Sequence, residues 1–473
     1  MPKNYRPIAI LPVLCKIYSK LLLQLISGAL EACRTPEEMG FRKEYACRDL
    51  VHSLRMVGEK CIEWGESVWI ASLDLEKAFD KVLHSAVFSG LREAGIEESL
   101  IKSIRQLYTE QFSFIQLEPH LLSRYFSILR GVRQGDPMSP ALFTNTIRTR
   151  MARRMAKLNT SWEARGLGTS IGSNHFGKHR LTYAMFADDT TLFAKSRRGM
   201  KLMLQELSKE LDTIGLNLNA EKCKLQCSTW PTDRTGTLEV GTSRYPVVAR
   251  SEGFKVLGTT FTLDASTDVE YQARINAAWA KFWALWPLLG KRDAPLKKRL
   301  ELLQSTVAMT LLWCAETWAL TVKQKRHLRA VQRSMLRKVM GIRRQPEEEY
   351  IQWIRRATKT AEQEARKAGV KCWLSMHLVS KWRWGGTLAN FSQDRWAART
   401  TFWRDSEWWS YQPRGGSSYG ARPIRARPGN MLRWECDLRK FAAQVGWNFW
   451  QIAAKSSVEW QAQEDAFVSH AWR

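Results

Sequence analysis

The sequence predicts an α+β chain whose first half mixes strands with helices and whose second half is mainly helical. Before residue 262, short apolar runs rich in strand-forming residues alternate with amphipathic stretches, whereas helical periodicity dominates from about Val269 to Gly341. The tryptophans mark the same change, since four of the 22 precede Trp279. With 473 residues, of which 44% are hydrophobic, the chain is long enough for about two to four domains with large cores.

The net charge is strongly positive. Seventy-three lysines and arginines against 46 acids give +27, a balance that favours a polyanionic partner such as nucleic acid. An anionic membrane is the weaker candidate, because the longest uncharged runs, 302–315 and 441–454, have 14 residues each. A membrane span needs about 20 apolar residues. We therefore expect nucleic acid, and no membrane, among the partners.

The N-terminus and the cysteines indicate an intracellular protein. Pro12 and Lys16 interrupt the short apolar run near the N-terminus, and no small-residue cleavage site follows it, so no signal peptide is predicted. The nine cysteines form no CxxC pair, and none joins a histidine at zinc-binding spacing. We expect free thiols in a reducing compartment, either the nucleus or the cytoplasm.

The elements of the first half follow from local hydrophobic patterns and turn residues. In chain order they are a helix at Ile17–Leu30, a buried strand at Val68–Leu75, two strands at Leu181–Phe186 and Thr190–Phe193 around a tight acidic turn, a helix at Lys201–Ile214, and paired strands within Val247–Phe261. In the helical second half, Pro287, Gly290 and Pro295 separate two helices.

A strongly basic helix is predicted towards the end of the helical stretch. Residues 321–344 contain nine lysines and arginines and no acid. Four arginines recur every three or four residues and therefore share one face: Arg326, Arg329, Arg333 and Arg337. Such a face is either a solvated helix surface or a row of phosphate contacts. Because the cations are unopposed within the run, we weigh phosphate contacts equally with the solvated surface.

Three carboxylates occupy places where a charge without a neutralising partner is costly. Asp74 ends the hydrophobic run that starts at Val68, and Asp188 and Asp189 are adjacent at the tip of the predicted hairpin. An Asp-Asp pair is also an ordinary turn dipeptide, so the pair alone is weak evidence. A divalent cation would remove both the burial cost and the repulsion, and hard oxygen ligands suit Mg²⁺. Two such ions about 4 Å apart can support phosphoryl transfer, provided that the strands are neighbours.

An ordered series of motifs extends through the first 262 residues. In chain order they are Asn4–Ile10, Met39–Arg42, Ser72–Asp80, Gly131–Pro140, Phe186–Asp189, Gly215–Asn219 with Lys222, and Lys255–Gly258. They resemble, in order and spacing, the fingers motifs, palm motifs A to D and primer grip of reverse transcriptases of non-LTR (LINE-type) retrotransposons. The resemblance implies a right-hand polymerase fold, with fingers and an antiparallel palm sheet in 1–262 and a helical basic thumb in 263–345.

The resemblance also implies an activity and a metal cofactor. The chain would be an RNA-directed DNA polymerase that extends a primer 3′-hydroxyl with dNTPs on an RNA template, with a DNA end as the primer. Asp74, Asp188 and Asp189 would be the catalytic carboxylates. Together with the carbonyl of Leu75 they would hold two Mg²⁺ ions, for which Mn²⁺ is an alternative.

Further residues gain substrate roles from the same resemblance. Those assigned to the incoming nucleotide are Arg6, Arg42, Phe79, Gln134, Gly135 and Lys222. Phe79 would lie under the sugar and exclude a 2′-hydroxyl by its bulk, Gly135 would allow close backbone approach to the nascent base pair, and Lys222 would protonate the leaving pyrophosphate. Taken without the motifs, Phe79 is an ordinary core aromatic, and Arg6 and Lys222 are ordinary surface cations. Primer and template contacts are assigned to Leu257, Gly258, Arg326, Arg329, Arg333 and Arg337.

Residues 346–473 are predicted as a Trp- and Arg-rich, mainly helical C-terminal region with a loop near 404–430. The run Lys381–Gly385 resembles part of a C-terminal segment found in many LINE-type proteins, with Gly386 in the place of the usual histidine. Tryptophan and arginine together could stack unpaired bases, but the core of a compact domain is the preferred interpretation.

Other parts of a LINE-type polyprotein are not recognisable in the sequence. The first motif begins at Asn4, which leaves no room for an upstream endonuclease, and neither a zinc knuckle nor a ribonuclease H acid set is evident. We therefore expect a truncated copy that depends on a nuclease supplied by another protein. The alternative is a catalytically impaired retrotransposon relic that only binds RNA or DNA. A group II intron maturase is disfavoured, because the Trp-rich tail does not resemble an intron-binding domain.

Overall fold

The computed structural model describes residues 8–118, 121–173, 177–264, 266–392, 394–403 and 431–472. They belong to two compact units. The first unit lies within Met1–Leu50, Glu66–Arg250 and Phe402–Gly415, and the second within Val51–Gly65, Ser251–Thr401 and Gly416–Arg473. Arg6 and the predicted loop near 404–430 lie outside the described residues.

A sheet of six strands is the frame of the first unit in its described part. The strands of this unit are β1 (Trp69–Leu73), β2 (Phe112–Ser113), β3 (Gln116–Glu118), β4 (Leu121–Leu122), β5 (Phe126–Ser127), β6 (Thr169–Ser173), β7 (Gly177–Leu181), β8 (Tyr183–Phe186), β9 (Asp189–Ala194), β10 (Lys224–Cys227), β11 (Gly236–Val240) and β12 (Ser243–Val247). The order in the sheet is β11-β12-β10-β1-β9-β8. β1 is antiparallel to both of its neighbours and nearly fully buried, as expected of a strand that is apolar on both faces.

Helices complete the core of the first unit. They are α1 (Val13–Ala32), α3 (Ala78–Lys81), α4 (His84–Glu93), α5 (Glu98–Gln106), α6 (Ser139–Ala164) and α7 (Arg197–Asp212). α2 (Cys47–Trp64) begins in the first unit, but from Val51 onwards it belongs to the second unit. α7 begins after Ser196, whose hydroxyl accepts a hydrogen bond from the Gly199 amide, and it packs against β1, β9 and β11. The structure therefore contains the helix predicted at Lys201–Ile214, which is α7. It also contains the predicted acidic hairpin, which consists of β8 and β9.

α1 has one buried and one exposed apolar face. Leu22, Ile26 and Leu30 are buried, whereas Leu14 and Leu25 on the other side are exposed. Within the described part of the chain, α1 is the one helix that is long and apolar enough to cross a membrane, with a mean hydropathy of 1.4. A single helix of this kind near an N-terminus is weak evidence for a membrane, because core helices and signal sequences meet the same criterion.

A two-stranded ribbon lies directly before the 131–140 motif. The sequence analysis did not predict it. β2 pairs with β5, and β3 pairs with β4. Its exposed large apolar side chains include Phe112, Phe114, Ile115, Leu121, Leu122, Tyr125 and Phe126. The ribbon therefore projects from the core and does not belong to it.

The second unit combines one hairpin with helices. Its strands are β13 (Phe254–Val256) and β14 (Thr259–Phe261). Its helical segments are α8 (Asp268–Ala284), α9 (Trp286–Leu289), α10 (Leu296–Leu302), a π-helix (Leu303–Ala308), α11 (Met309–Leu311), a 3₁₀-helix (Ala315–Thr317), α12 (Val322–Met340), α13 (Tyr350–Lys367), α14 (Trp373–Asn390), α15 (Trp396–Thr401), α16 (Cys436–Gln444), α17 (Trp450–Ala453), α18 (Ser457–Ala462) and α19 (Glu464–Ala471).

The two units divide the chain differently from the predicted boundaries at 262 and 345. The hairpin β13–β14 belongs to the second unit, where the Phe261 ring approaches Gly58 in the second-unit part of α2. Lys325 of α12 donates hydrogen bonds to Asp437, at 3.0 Å, and to the Ala471 carbonyl, at 2.9 Å. The segments predicted as thumb and C-terminal region therefore share one core.

The tryptophans of the C-terminal region form that core, which confirms the preferred interpretation. Trp382 and Trp460 are stacked with ring centroids 3.6 Å apart, and each indole N–H donates to the carbonyl of the other residue. Gly386 lies against the Trp460 ring, so that a Cβ atom at position 386 would be 2.6 Å from the indole nitrogen. The close packing of this ring accounts for glycine at position 386.

The lysine of the Lys381–Gly385 run is also part of the core. Lys381 is fully buried and lies 3.1 Å from the Asp437 carboxylate, which Lys325 also contacts. Burial alone would raise the pKa of Asp437, but the two ammonium groups hold that pKa well below its usual range. Lys381 is therefore a buried ion-pair partner and not a surface contact for nucleic acid.

Candidate active site

The sheet brings the three candidate acids to the same end of two neighbouring strands. In the β1–β9 ladder Leu73 pairs with Thr190, so Asp74 and Asp189 are each one position beyond this last pair. Asp188 lies in the turn of the β8–β9 hairpin, directly beside the last pair, Phe186 with Asp189. Residues opposite each other in an antiparallel pair have Cβ atoms about 4.5–5.5 Å apart. The condition that the acid-bearing strands be neighbours is met.

The turn that carries Asp188 has a strained backbone. Ala187 has a φ of +59°, in the left-handed region that costs a residue with a side chain about 1–3 kcal/mol. The segment Glu37–Gly40 holds the turn from one side, because the Met39 amide donates to the Met185 carbonyl and the Met185 amide donates to the Glu37 carbonyl, both at 2.8 Å. A Cβ atom at Gly40 would overlap the backbone nitrogen of Ala187. The close approach that supports the turn therefore requires glycine.

The end of β1 is held by residues 217–223 on its other edge. The Asn219 amide donates to the Asp74 carbonyl at 2.9 Å, and the Asp74 amide donates to the Cys223 sulfur at 3.3 Å. Leu75 forms an antiparallel bridge with Leu218. Burial raises the pKa of the Cys223 thiol to about 11, so this side chain is an uncharged thiol at neutral pH.

The donor set suits a hard divalent cation. Asp74, Asp188 and Asp189 are half-buried carboxylates, and the Leu75 carbonyl is adjacent to them in the chain. Within the described ranges, however, no group of three or more histidine, cysteine, aspartate or glutamate side chains is close enough together to hold a metal ion. The backbone thus brings the acids to one edge of the sheet, while their side chains are not gathered around a single point.

The 131–140 motif is attached to the residues that follow Asp74. The Val132 amide donates to the Phe79 carbonyl at 2.7 Å, and the Gln134 side-chain amide donates to the Asp80 carboxylate at 3.0 Å. The half-buried Phe79 ring stacks on the buried Phe143 ring, with centroids 4.2 Å apart. These contacts place Phe79 and Gln134 near the end of β1, where the sequence analysis expected nucleotide contacts.

The backbone conformation and the packing at position 135 both require glycine. Its φ is +113°, and a Cβ atom there would lie 2.5 Å from the Ala9 carbonyl oxygen. The Ala9 amide also donates to the Gln134 carbonyl at 2.7 Å. In this structure the segment around Ala9 makes the close approach to Gly135. The contact of Gly135 with a nascent base pair stays a prediction.

The basic residues assigned to the nucleotide differ in their surroundings. Arg42 is tied into its own segment, because its guanidinium contacts the Glu31 carboxylate at 2.5 Å and donates to the Thr35 carbonyl at 3.0 Å. It also lies over the Tyr45 ring, 4.5 Å from the centroid. Lys222 is exposed and immediately precedes Cys223. Arg42 therefore has a structural role whether or not it also binds a nucleotide.

Leu257 and Gly258 form the turn of the β13–β14 hairpin in the second unit. Both have positive φ, +48° and +74°, as a tight hairpin turn of this kind requires. The Trp313 indole donates to the Leu257 carbonyl at 3.1 Å, and Arg274 donates to the Gly258 carbonyl. The turn is therefore fixed by side chains of its own unit, and its contact with a primer stays a prediction.

Three of the four arginines on one face of α12 contact side chains from later segments of the second unit. Arg333 forms a 2.6 Å ion pair with Glu362 of α13, Arg337 donates to Thr358 at 2.8 Å, and Arg329 lies over the Trp472 ring. Arg326 is exposed. The absence of acids within 321–344 does not leave this face open, because the opposing groups come from helices further along the chain. Arg329, Arg333 and Arg337 are partly buried, and their contact with a primer or template stays a prediction.

Two residues that the sequence analysis did not single out hold the acidic edge. Gly40 supports the Asp188 turn, and Cys223 binds the backbone of Asp74. Gly40 lies within a motif that the sequence analysis recognised, so its glycine was a signal that could have been used. Cys223 carried no such signal, because it is one of nine scattered cysteines and its spacing from the others forms no recognisable motif.

Comparison with known proteins identifies the family. The family described as "Reverse transcriptase (RNA-dependent DNA polymerase)" matches residues 1–261, which is more than half of the chain. The chain therefore belongs to the reverse transcriptase family. The match ends at the last residue of β14, shortly after the last predicted motif, Lys255–Gly258.

Curated relatives come from retrotransposable elements. The Pol polyprotein of the type-2 element R2DM of Drosophila melanogaster is 30% identical over 55% of this chain and 24% of its own length. The Pol polyprotein of the type-1 element R2 of Popillia japonica is 27% identical over 69% of this chain and 43% of its own length. The RNA-directed DNA polymerase from the mobile element jockey is 21% identical over 72% of this chain. The chain thus spans less than half of each of the two R2 polyproteins.

A weaker likeness exists to a solved structure. Apo telomerase from Candida tropicalis is 13% identical, with 81% of this chain and 61% of that chain covered and a TM-score of 0.38. That score is too low to support a conclusion about the fold.

Proposed function

We propose that this chain is an RNA-directed DNA polymerase that extends a primer 3′-hydroxyl with dNTPs by attack on the α-phosphate and release of pyrophosphate. The observation that carries the proposal is the register of β1 and β9, which brings Asp74 and Asp189 to the same end of two neighbouring strands, with Asp188 in the adjoining turn. Membership of the reverse transcriptase family supports it. In this proposal the first unit supplies fingers and palm of a right-hand polymerase, and helices of the second unit supply the thumb.

The proposed cofactor is a pair of Mg²⁺ ions, or Mn²⁺ in their place. Asp74, Asp188 and Asp189 with the Leu75 carbonyl would hold them, since these are the hard oxygen donors at the end of β1 and β9. When bound, the ions supply activation of the attacking hydroxyl and neutralisation of the charge on the phosphate. The chain supplies positioning, which is the main protein contribution to phosphoryl transfer.

The other residues would orient the substrates. Phe79, backed by Phe143, would form the floor under the nucleotide sugar, and Gln134, anchored on Asp80, would lie against the base pair. Arg42 and the exposed Lys222 would contact the triphosphate. The RNA template and DNA primer would be held through phosphates by exposed cations such as Arg326, which makes binding salt-dependent.

Primer extension on poly(rA)/oligo(dT) with Mg²⁺ tests this proposal. We expect template-dependent incorporation of dTTP that ceases when EDTA is added. Binding of the RNA–DNA duplex should be measured in parallel at two salt concentrations, because binding falls steeply with salt when phosphate contacts dominate. Salt-dependent binding without incorporation would overturn the polymerase proposal in favour of the relic that only binds nucleic acid.

Phe79 provides a test of sugar discrimination. Replacing Phe79 by valine is expected to increase incorporation of rNTPs relative to dNTPs by about 10- to 100-fold, because it opens space for a 2′-hydroxyl. The measurement is the ratio of kcat/KM for UTP and dTTP. Phe143→Leu is the matched control, since it weakens the same ring stack without opening that space. An unchanged ratio in Phe79→Val would contradict the assigned role.

A further inference from the structure

Cys223 lies where the hydrogen-bond ladder on one edge of β1 is interrupted. β10 pairs with β1 from Trp69 opposite Cys227 to Ser72 opposite Lys224. The same register would set Asp74 opposite Lys222, but the amides of Lys222 and Cys223 both turn back to the Asn219 carbonyl, at 3.0 Å. The ladder therefore ends just before the residue that carries the first candidate acid.

The chain resumes its contact with β1 beyond the gap. The Asn219 amide donates to the Asp74 carbonyl at 2.9 Å, and the Glu76 amide donates to the Asn217 carbonyl at 3.0 Å. In an antiparallel ladder the N–H and C=O of one residue face the same neighbour. Asn219 thus satisfies the carbonyl of Asp74, and the amide of Asp74 needs an acceptor on the same side.

The Cys223 side chain supplies that acceptor. The Asp74 amide donates to the Cys223 sulfur at 3.3 Å, and the thiol points back towards the Asp74 carbonyl at 4.0 Å. Cys223 is fully buried, so water cannot replace the thiol without opening the sheet. The Cys223 side chain therefore replaces the missing backbone acceptor of the ladder at Asp74, the residue that carries the first candidate carboxylate.

We propose that Cys223 is a positioning residue of the polymerase site, whose thiol fixes the backbone of Asp74 and thereby the direction of its carboxylate. The inference rests on the proposed function for its catalytic consequence, but the contact itself is independent of activity. A displacement of about 1 Å at a reacting group can lower a rate by about 100-fold, so even a weak N–H···S bond matters at this position.

The test compares Cys223→Ala, which removes the acceptor, with Cys223→Ser, which keeps one. Cys227→Ala is the matched control, because Cys227 is equally buried in β10 but lies opposite Trp69 and away from Asp74. The first readout is hydrogen–deuterium exchange of the peptide that contains Asp74, in the metal-free protein. We expect exchange at least about tenfold faster in Cys223→Ala, and near the wild-type rate in Cys223→Ser and Cys227→Ala.

The second readout is the Mg²⁺ concentration that gives half-maximal primer extension. It should rise severalfold in Cys223→Ala, return towards the wild-type value in Cys223→Ser, and stay unchanged in Cys227→Ala even if that variant is less stable. Cys223→Val, which fills the volume without an acceptor, replaces the alanine variant if the latter does not fold. Wild-type exchange at Asp74 in a folded Cys223→Ala or Cys223→Val protein would overturn the proposal. A wild type without extension would refute the proposed function alone, because the exchange result stands by itself.

Discussion

Replacement of Asp189 by asparagine is expected to lower the rate of primer extension by about 10³-fold. Asparagine keeps the size of the side chain and removes its charge, so the strand register of β9 should be unchanged. The substitution removes a carboxylate ligand of the cations that neutralise the reacting phosphate. Such a ligand lowers the activation free energy by several kcal/mol, and about 1.4 kcal/mol corresponds to a tenfold change in rate. The same result is expected for Asp188→Asn and for Asp74→Asn.

The effect of Mg²⁺ on stability provides a second measurement on the same variant. Addition of Mg²⁺ should raise the melting temperature of the wild type more than that of the variant, since a ligand stabilises only the state that binds it.

An exposed aspartate provides the control for the substitution itself. Asp293 has a side chain that is 76% exposed and belongs to the second unit, so Asp293→Asn should leave both extension and the Mg²⁺ effect unchanged. Equal extension by wild type and Asp189→Asn would identify the signal as a contaminating polymerase. Loss of extension together with a large drop in melting temperature would instead attribute the effect to misfolding.

The local pattern of the sequence predicted the strands that carry the three acids, but not that these strands are neighbours. β1 is a short run that is apolar on both faces, and such a run is buried wherever the chain folds. The hairpin β8–β9 follows from two apolar runs separated by an acidic turn. The motif order then indicated that these strands are neighbours, and the β1–β9 ladder confirms this.

Contacts between distant segments could not be predicted in the same way. Arg333 and its partner Glu362 are 29 positions apart and belong to different helices, so the charge of the 321–344 run did not reveal that Arg333 is paired. The core shared by residues 263–345 and 346–473 was not predictable for the same reason, because Lys325 reaches Asp437 across 112 positions. Neither pairing leaves a periodic signal in the sequence, and both depend on which helix faces pack together.

Gly40→Ala is expected to lower the rate of primer extension by about 100-fold, although Gly40 is not a candidate contact for substrate or metal. The added Cβ atom would overlap the backbone nitrogen of Ala187 and lie 3.0 Å from the Phe186 carbonyl carbon. Both neighbours are backbone atoms, which cannot rotate away as a flexible side chain can. The turn itself must therefore move, and Asp188 and Asp189 move with it.

The predicted effect is on the chemical step more than on binding, because the displaced groups are carboxylates that act on the reacting phosphate. We expect kcat to fall while salt-dependent binding of the RNA–DNA duplex stays near the wild-type value, with a loss of about 1–3 kcal/mol in the free energy of unfolding. Gly28→Ala is the matched control: Gly28 lies within α1 with no atom within 4 Å of an added Cβ, and alanine there should stabilise the helix slightly. If Gly40→Ala extends primers as fast as Gly28→Ala, the segment Glu37–Gly40 does not position the acidic turn, and the strained φ of Ala187 must be maintained by the hairpin alone.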